Sequence, residues 1–241
     1  MIALMVGGRA SRMGRGVISV DCTKGLMRLP VYGGGSETLI DRTLRLLKKI
    51  GAIVGVNDVL MCVGYKAELV TERYPEGRFL KTYDPDNPTD TTAAYPLVFD
   101  AFPHEEHFIF IMGDTVWSEK ALRDYLSKAH LAPLVFYHSS DAGYTDIYGT
   151  AINGKEGREI IHRVSRLDSI PIIPGEIRWK LQGITRIPFK DCREECVEQW
   201  MDQNHIPGML RVNQCAPVKD IDWDEGHQII CQEILEGKFG K

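Results

Sequence analysis

Residues 2–14 read IALMVGGRASRMG: an apolar run from Ile2 to Val6 that stops at Gly7-Gly8 and gives way to a polar, arginine-bearing loop. An uninterrupted apolar run too short for a helix and closed by glycine fits a strand covered on both faces, as in a parallel sheet. FIFIM (residues 108–112) has the same form and ends at Gly113-Asp114, while VLMCV (59–63) ends at Gly64. Helical patterns separate these strands. Residues 38–50 place Leu39, Ile40, Leu44, Leu47 and Ile50 on one stripe, with Arg42, Arg45, Lys48 and Lys49 opposite and Gly51 as a stop. Residues 66–74 and 91–102 read as further helices, with a short strand at 79–82. Ser118 is placed to cap a helix over 119–129, followed by a strand at 134–138. Strand–helix alternation of this kind predicts an α/β fold with a doubly wound, mostly parallel sheet, and ligands at the carboxyl ends of its strands.

The second half is less regular. Residues 148–153, 159–164 and 177–187 read as strands of a β-rich region, with Gly154, Gly157, Pro174 and Gly175 marking turns. Helices are expected over 191–202 and 224–235. The chain reads as a single domain, 1–241, with a core at 1–138, a β-rich acceptor-side region at about 139–215, and a closing segment at 216–241.

Composition narrows the function. The 241 residues are 44% hydrophobic and 26% charged, which excludes disordered, collagenous and coiled-coil chains. Twenty-nine basic residues against 33 acidic ones leave a net charge of −4, so no basic face for nucleic acid is expected. No apolar run approaches the roughly 20 residues that span a bilayer, and the start reads as no signal peptide. A cytoplasmic protein is expected. The six cysteines are scattered without C-x-x-C spacing and read as reduced thiols. His104 and His107 read as a solvated turn, so no zinc site is assigned.

The loop after the first strand is the first candidate site. Gly7, Gly8 and Gly14 let backbone N–H groups approach a phosphate chain closely, and Arg9 and Arg12 lie among them. Arg12 offers a planar fork and Lys24 a point charge to phosphate oxygens. The spacing is neither G-x-G-x-x-G nor a P-loop. Asp114, at the end of an apolar strand, points to a ligand crevice, although a turn or cap role fits it as well. In KDIDWDEG (219–226), Asp220 and Asp222 share one side of an extended segment, while Asp224 and Glu225 suit the first turn of the last helix.

Taken in order, VGGRASRMG (6–14), TKGLMRLP (23–30), TLIDRTLRLLKKIG (38–51) and CVGYKAELV (62–70) resemble the nucleotidyltransferases that make activated sugars and activated head groups. Gly7, Gly8, Arg12, Gly14 and Lys24 match that family's glycine loop and following lysine. Ala10 departs from its usual Gly or Ser, and the interval between Gly14 and Lys24 is long. The resemblance runs to residue 122 and resumes at the C-terminus, leaving 140–210 unaligned. SRMG also resembles the guanylyltransferase of molybdenum-cofactor synthesis, over the first loop alone.

The family resemblance implies Mg²⁺ held by Asp114 and Asp222, with Asp220 as the fallback if the register differs by two. It implies a nucleobase near Gly64, where a simple turn is the alternative. DNPTDTTAAYPL (86–97) resembles small cytidylyltransferases such as those acting on choline phosphate, with Thr91 and Thr92 at the helix start, where capping is the alternative role. Together these imply transfer of CMP from CTP to a small phosphorylated or phosphonate acceptor, with release of pyrophosphate. The alternatives are a sugar-1-phosphate nucleotidyltransferase using UTP, GTP or dTTP, a glycosyltransferase of the same fold, and a non-catalytic nucleotide sensor. Lys66, Arg163, Arg166, Arg178, Trp179 and Lys180 are the groups available to an anionic acceptor, with solvated surface or core as the other reading. Trp117 reads as core or as a pocket wall. No nucleic-acid or membrane partner is expected, and a homodimer is left open.

Overall fold

The computed structural model describes residues 1–8, 23–82, 94–105, 108–128, 134–137, 147–153, 159–166, 177–184, 209–210, 212–213, 218–221 and 224–240. In chain order its first strand is β1 (Ile2–Met5), followed by a hairpin of β2 (Arg28–Pro30) and β3 (Ser36–Thr38) and by helix α1 (Leu39–Lys49). Next come β4 (Val59–Val63), α2 (Ala67–Arg73), β5 (Arg78–Lys81), α3 (Ala94–Ala101) and β6 (Ile109–Met112). The short strand β7 (Thr115–Trp117) and α4 (Glu119–Lys128) complete the first half.

β5, β4, β1 and β6 form a four-stranded parallel sheet in that order. Ile2 stands beside Val59 on one side and Ile109 on the other, and Met5 beside Cys62 and Met112. The chain therefore winds outward from β1 through β4 to β5, then returns to the opposite side of β1 as β6. That reversal makes a switch point between the carboxyl ends of β1 and β6, the place where open α/β sheets form a crevice. Every residue of β1 and β4 is buried, which is why these strands read as continuous apolar runs.

α1 begins and ends as its sequence dictates. The Asp41 backbone N–H donates to the Thr38 hydroxyl, and the Asp41 carboxylate accepts from the Thr38 N–H, a reciprocal capping box. At the other end Gly51 adopts φ +75°, Gly51 N–H donates to Lys48 O, and Ala52 N–H donates to Leu47 O. This is a Schellman stop, whose left-handed residue favours glycine. The expected stripe is buried at Leu39, Ile40, Leu44 and Leu47, with Ile50 partly buried at the cap. Arg42 is a correction: expected on the solvated face, it is buried with Leu46. Its guanidinium donates to Glu37 Oε1 at 3.1 Å, reaches toward the Trp117 carbonyl at 3.4 Å and lies 5.8 Å from the Phe239 ring centroid. A buried arginine needs such partners, and they come from parts of the chain that helical spacing does not register.

The second half contributes β8 (Leu134–Tyr137), β9 (Ile147–Asn153), β10 (Glu159–Arg166) and β11 (Ile177–Ile184). After these come the short strands β12 (Met209–Leu210), β13 (Val212–Asn213) and β14 (Val218–Asp220), then the last helix, α5 (Asp224–Leu235). β12, β10, β9, β11, β8 and β13 form one six-stranded sheet, antiparallel except where β13 runs parallel to β8. The expected β-rich region is thus present; the helix expected over 191–202 lies outside the described residues. The hairpin β2–β3 and the strands β7, β12, β13 and β14 were not anticipated. Each is two or three residues long, too short to show a period.

Among the described residues, two apolar clusters hold the first half and the C-terminal segment. One packs Leu4, Val6 and Met61 from one face of the parallel sheet against Ile40, Leu44 and Leu47 of α1 and Leu122 and Tyr125 of α4. The other joins Met27, Leu29, Leu39 and Val116 to Ile221, Ile230, Ile234 and Phe239, so the C-terminal segment is fastened to the hairpin and β7. Among the described residues no helix is long and apolar enough to cross a membrane.

Candidate active site

The ladder between β1 and β4 continues past their ends. Val6 N–H donates to Cys62 O at 3.0 Å and Tyr65 N–H to Gly7 O at 3.1 Å. A Cβ on Gly7 would stand 3.0 Å from Gly64 N and 3.2 Å from the Val63 carbonyl carbon, so a side chain there would press the neighbouring backbone back by a few tenths of an ångström. Two separately chosen candidates, Gly7 and Gly64, are thereby brought together. A Cβ on Gly8 would meet nothing within 4 Å.

Beyond Gly8 the described chain resumes at Thr23, which is fully buried. Its hydroxyl donates to Val6 O at 2.9 Å and approaches Gly8 O at 3.4 Å, so the exit of the glycine loop is tied to its entrance. Arg9, Arg12 and Gly14 lie within that loop, outside the described residues. Lys24 follows Thr23 and opens a 3₁₀ turn, Lys24–Leu26. Gly25 seats this turn: its Cβ position lies 3.0 Å from Ile40 Cδ1 and 3.3 Å from Val6 Cβ.

On the other side of the switch point, Gly113 N–H donates to Met5 O at 2.9 Å. A Cβ on Gly113 would run into that same carbonyl oxygen and lie 2.7 Å from Val6 Cγ1. Glycine is required there, and the close approach sets the position of Asp114. Lys24 Nζ stands 3.1 Å from Asp114 Oδ2, an ion pair between side chains only 12% and 27% exposed. The sequence offered Lys24 and Asp114 as separate candidates 90 residues apart; the fold makes them partners.

The C-terminal acidic segment reaches the same place. β14 pairs antiparallel with β7, setting Asp220 opposite Thr115, and Ile221 N–H donates to Asp114 O at 3.0 Å. Ile221 is buried in the second cluster, which anchors the segment. Asp222, next in the chain, lies outside the described residues. The carboxylate of Asp114 is a hard oxygen donor of the kind Mg²⁺ prefers over nitrogen or sulfur. Among the described residues no group of three or more His, Cys, Asp or Glu is gathered.

Gly64 leads into α2 through Lys66, whose backbone is left-handed at φ 54°, ψ 41°, and Ala67 N–H donates to Gly64 O at 3.1 Å. Such a conformation at a non-glycine residue costs on the order of 1 kcal/mol and is sustained by its surroundings. Thr82, buried at the end of β5, donates its N–H to Val63 O at 2.9 Å and borders this corner. Thr91 and Thr92 lie outside the described residues. Trp117 is core: it is 1% exposed, with its ring centroid 5.1 Å from that of Tyr125. Arg163, Arg166, Arg178, Trp179 and Lys180 are strand residues of β10 and β11. His104 is exposed in a turn, as expected. Sequence reasoning missed Thr23, Gly25 and Gly113. Their only signal was position, beside Lys24 and Asp114.

Several solved structures share this architecture. A Bacillus anthracis protein described as a glucose-1-phosphate thymidylyltransferase superposes with a TM-score of 0.64 at 17% identity, covering 100% of this chain and 97% of its own. The inositol-1-phosphate CTP transferase of T. maritima gives 0.59 at 16% identity, covering 98% and 96%. The CTP:phosphocholine cytidylyltransferase of Streptococcus pneumoniae gives 0.58 at 14%, covering 96% and 97%. These likenesses establish the fold. No curated protein matches the sequence. The model of the MobA-like NTP transferase domain matches residues 2–168, from β1 past the end of β10, and the chain belongs to that nucleotidyltransferase family.

Proposed function

We propose that the chain is a Mg²⁺-dependent cytidylyltransferase that moves CMP from CTP to a small phosphorylated or phosphonate acceptor, releasing pyrophosphate. The observation that carries this is the Lys24–Asp114 pair at the switch point, 3.1 Å across. An acceptor phosphate is already ionised at neutral pH, so the reaction needs no general base. One acceptor oxygen attacks the α-phosphorus in line, a new P–O bond forms, and the bond to the β-phosphate oxygen breaks with pyrophosphate leaving. The protein's work is positioning and charge. Loop amides and Arg12 hold the triphosphate oxygens, Lys24 offsets the charge that develops on them, and Asp114 with Asp222 holds the metal. Bound Mg²⁺ supplies further neutralisation and fixes the phosphate oxygens in place. Gly64 and the Thr91-Thr92 segment border the base.

The choice of CTP rests on the 86–97 segment and is supported by two of the similar structures, which are described as CTP enzymes. A sugar-1-phosphate acceptor with another triphosphate is the second reading, supported by the thymidylyltransferase likeness. Both readings treat residues 1–241 as one catalytic unit.

The test is thermal stabilisation by CTP, UTP, GTP, ATP and dTTP, each with and without Mg²⁺. A ligand at 100 times its Kd adds about 2.7 kcal/mol, well within reach of a melting curve. A Mg²⁺-dependent shift with CTP alone is expected, followed by pyrophosphate release once an acceptor is supplied. Asp114→Ala should abolish that release and Lys24→Ala lower it by orders of magnitude, both with cooperative melting retained. A shift with a nucleotide sugar and with no triphosphate would replace this reading with a glycosyltransferase.

A further inference from the structure

The backbones on either side of the Lys24–Asp114 pair are held from several directions. Thr23 is tied to the ends of the glycine loop, and the Gly25 turn rests on Ile40 and Val6. Across the crevice, Gly113 is wedged against Met5 and Val6, and Asp114 O accepts from Ile221. The long Lys24 side chain reaches across between them, and an ammonium on a four-carbon stem keeps its charge while changing its partner. Asp114 Oδ2 is thus occupied by a tethered cation at hydrogen-bond distance.

We propose that Lys24 is the built-in counter-ion of Asp114, which a divalent cation must displace, so that the ammonium passes to the triphosphate as the metal takes the carboxylate. This deepens the reading given above and rests on it. Two cations beside one carboxylate repel each other, so the metal alone binds weakly while Lys24 stays. A triphosphate offers the displaced ammonium a new anionic partner, and by linkage the metal and the triphosphate each strengthen the binding of the other. Lys24 then has two successive duties: it neutralises a part-buried carboxylate before the substrates arrive, and the phosphate charge afterwards.

Mn²⁺ alone, titrated into the full chain and followed by electron paramagnetic resonance, tests this with no turnover. Lys24→Met and Lys24→Gln should each bind Mn²⁺ at least about tenfold tighter than the wild type, as expected when a neighbouring like charge is removed. Lys24→Arg, which keeps the charge, should stay near the wild-type value. Adding Asp114→Asn to Lys24→Met should abolish the gain. Equal Mn²⁺ affinity in the wild type and in a cooperatively melting neutral variant would overturn the proposal and leave the nucleotidyltransferase reading untouched. The expected Mn²⁺ series with no Mg²⁺-dependent stabilisation by any triphosphate would uphold the counter-ion and overturn the reading of the reaction.

Discussion

A methyl group at Gly113 has nowhere to go, because its neighbours are the Met5 carbonyl oxygen and Val6 Cγ1 rather than the yielding end of a long side chain. Gly113→Ala should therefore cost about 3 kcal/mol, the upper end for overpacking, by forcing β6 away from β1. Gly8→Ala is the control, since a Cβ there meets nothing within 4 Å. Urea unfolding of the two variants checks the contrast, and equal midpoints would show that the strand ends relax freely. The same displacement would move Asp114 relative to Lys24, so Gly113→Ala should lose activity beyond its loss of stability. Thr23 works at the same scale: its buried hydroxyl spans two carbonyls of the glycine loop.

At the level of elements, α1 and α2 are joined by a polar knot. The Tyr74 hydroxyl donates to Asp41 Oδ1 at 2.7 Å and lies 3.1 Å from the Thr38 hydroxyl, while Arg73 donates to Asp41 Oδ2 at 2.6 Å. Burial pushes the Tyr74 phenol up to about 12, so it stays protonated and a donor. Burial also pushes the Asp41 carboxyl up, but the hydrogen bonds from Tyr74, Arg73 and Thr38 outweigh it and hold the group below its ordinary value. A carboxylate depressed on folding contributes stability above its unfolded pKa, near 3.9, and loses it as pH falls through the lower folded value. Asp41→Asn should thus cost about 1 kcal/mol at pH 7, typical of a lost cap, and progressively less below pH 4. Melting the two proteins between pH 7 and pH 2 measures this; a cost independent of pH would show that the ionised form contributes nothing.

At the level of the whole molecule, the C-terminal segment is part of the core that positions the site. Ile221, Ile230, Ile234 and Phe239 are buried against Met27, Leu29, Leu39 and Val116, and Phe239 faces Arg42. Ending the chain at residue 217 would remove β14, α5 and Phe239, exposing that cluster and depriving Asp114 O of its Ile221 partner. Such a chain should bind a hydrophobic dye and lose cooperative unfolding, as expected when several core side chains, each contributing about 1.5–3 kcal/mol, lose their cover together. A truncated chain that melts like the full one would show that the second cluster is dispensable.

Much of the fold was legible because its determinants are local. The apolar runs ending at Gly7, Gly64 and Gly113 read as buried parallel strands, and Gly51 marked the end of α1. Burial on both faces removes polar alternation, and caps act within four residues, so each leaves its mark in a single stretch of chain. The candidate residues of the site were legible one at a time, as a lysine after a glycine loop and an aspartate at the end of a strand. Their pairing was not, because a contact across 90 residues leaves no trace in spacing. Arg42 was misread for the same reason: helical periodicity gives the angle of a side chain around its helix, while Glu37, Trp117 and Phe239 decide whether that angle faces water. Local pattern was enough for the longer strands and helices of the first half and for the charged groups available for chemistry. That β1 and β6 adjoin, that Gly113 must be glycine, and that β14 lies against β7 beside Asp114 came from the folded chain, because those facts depend on distances between segments far apart in sequence.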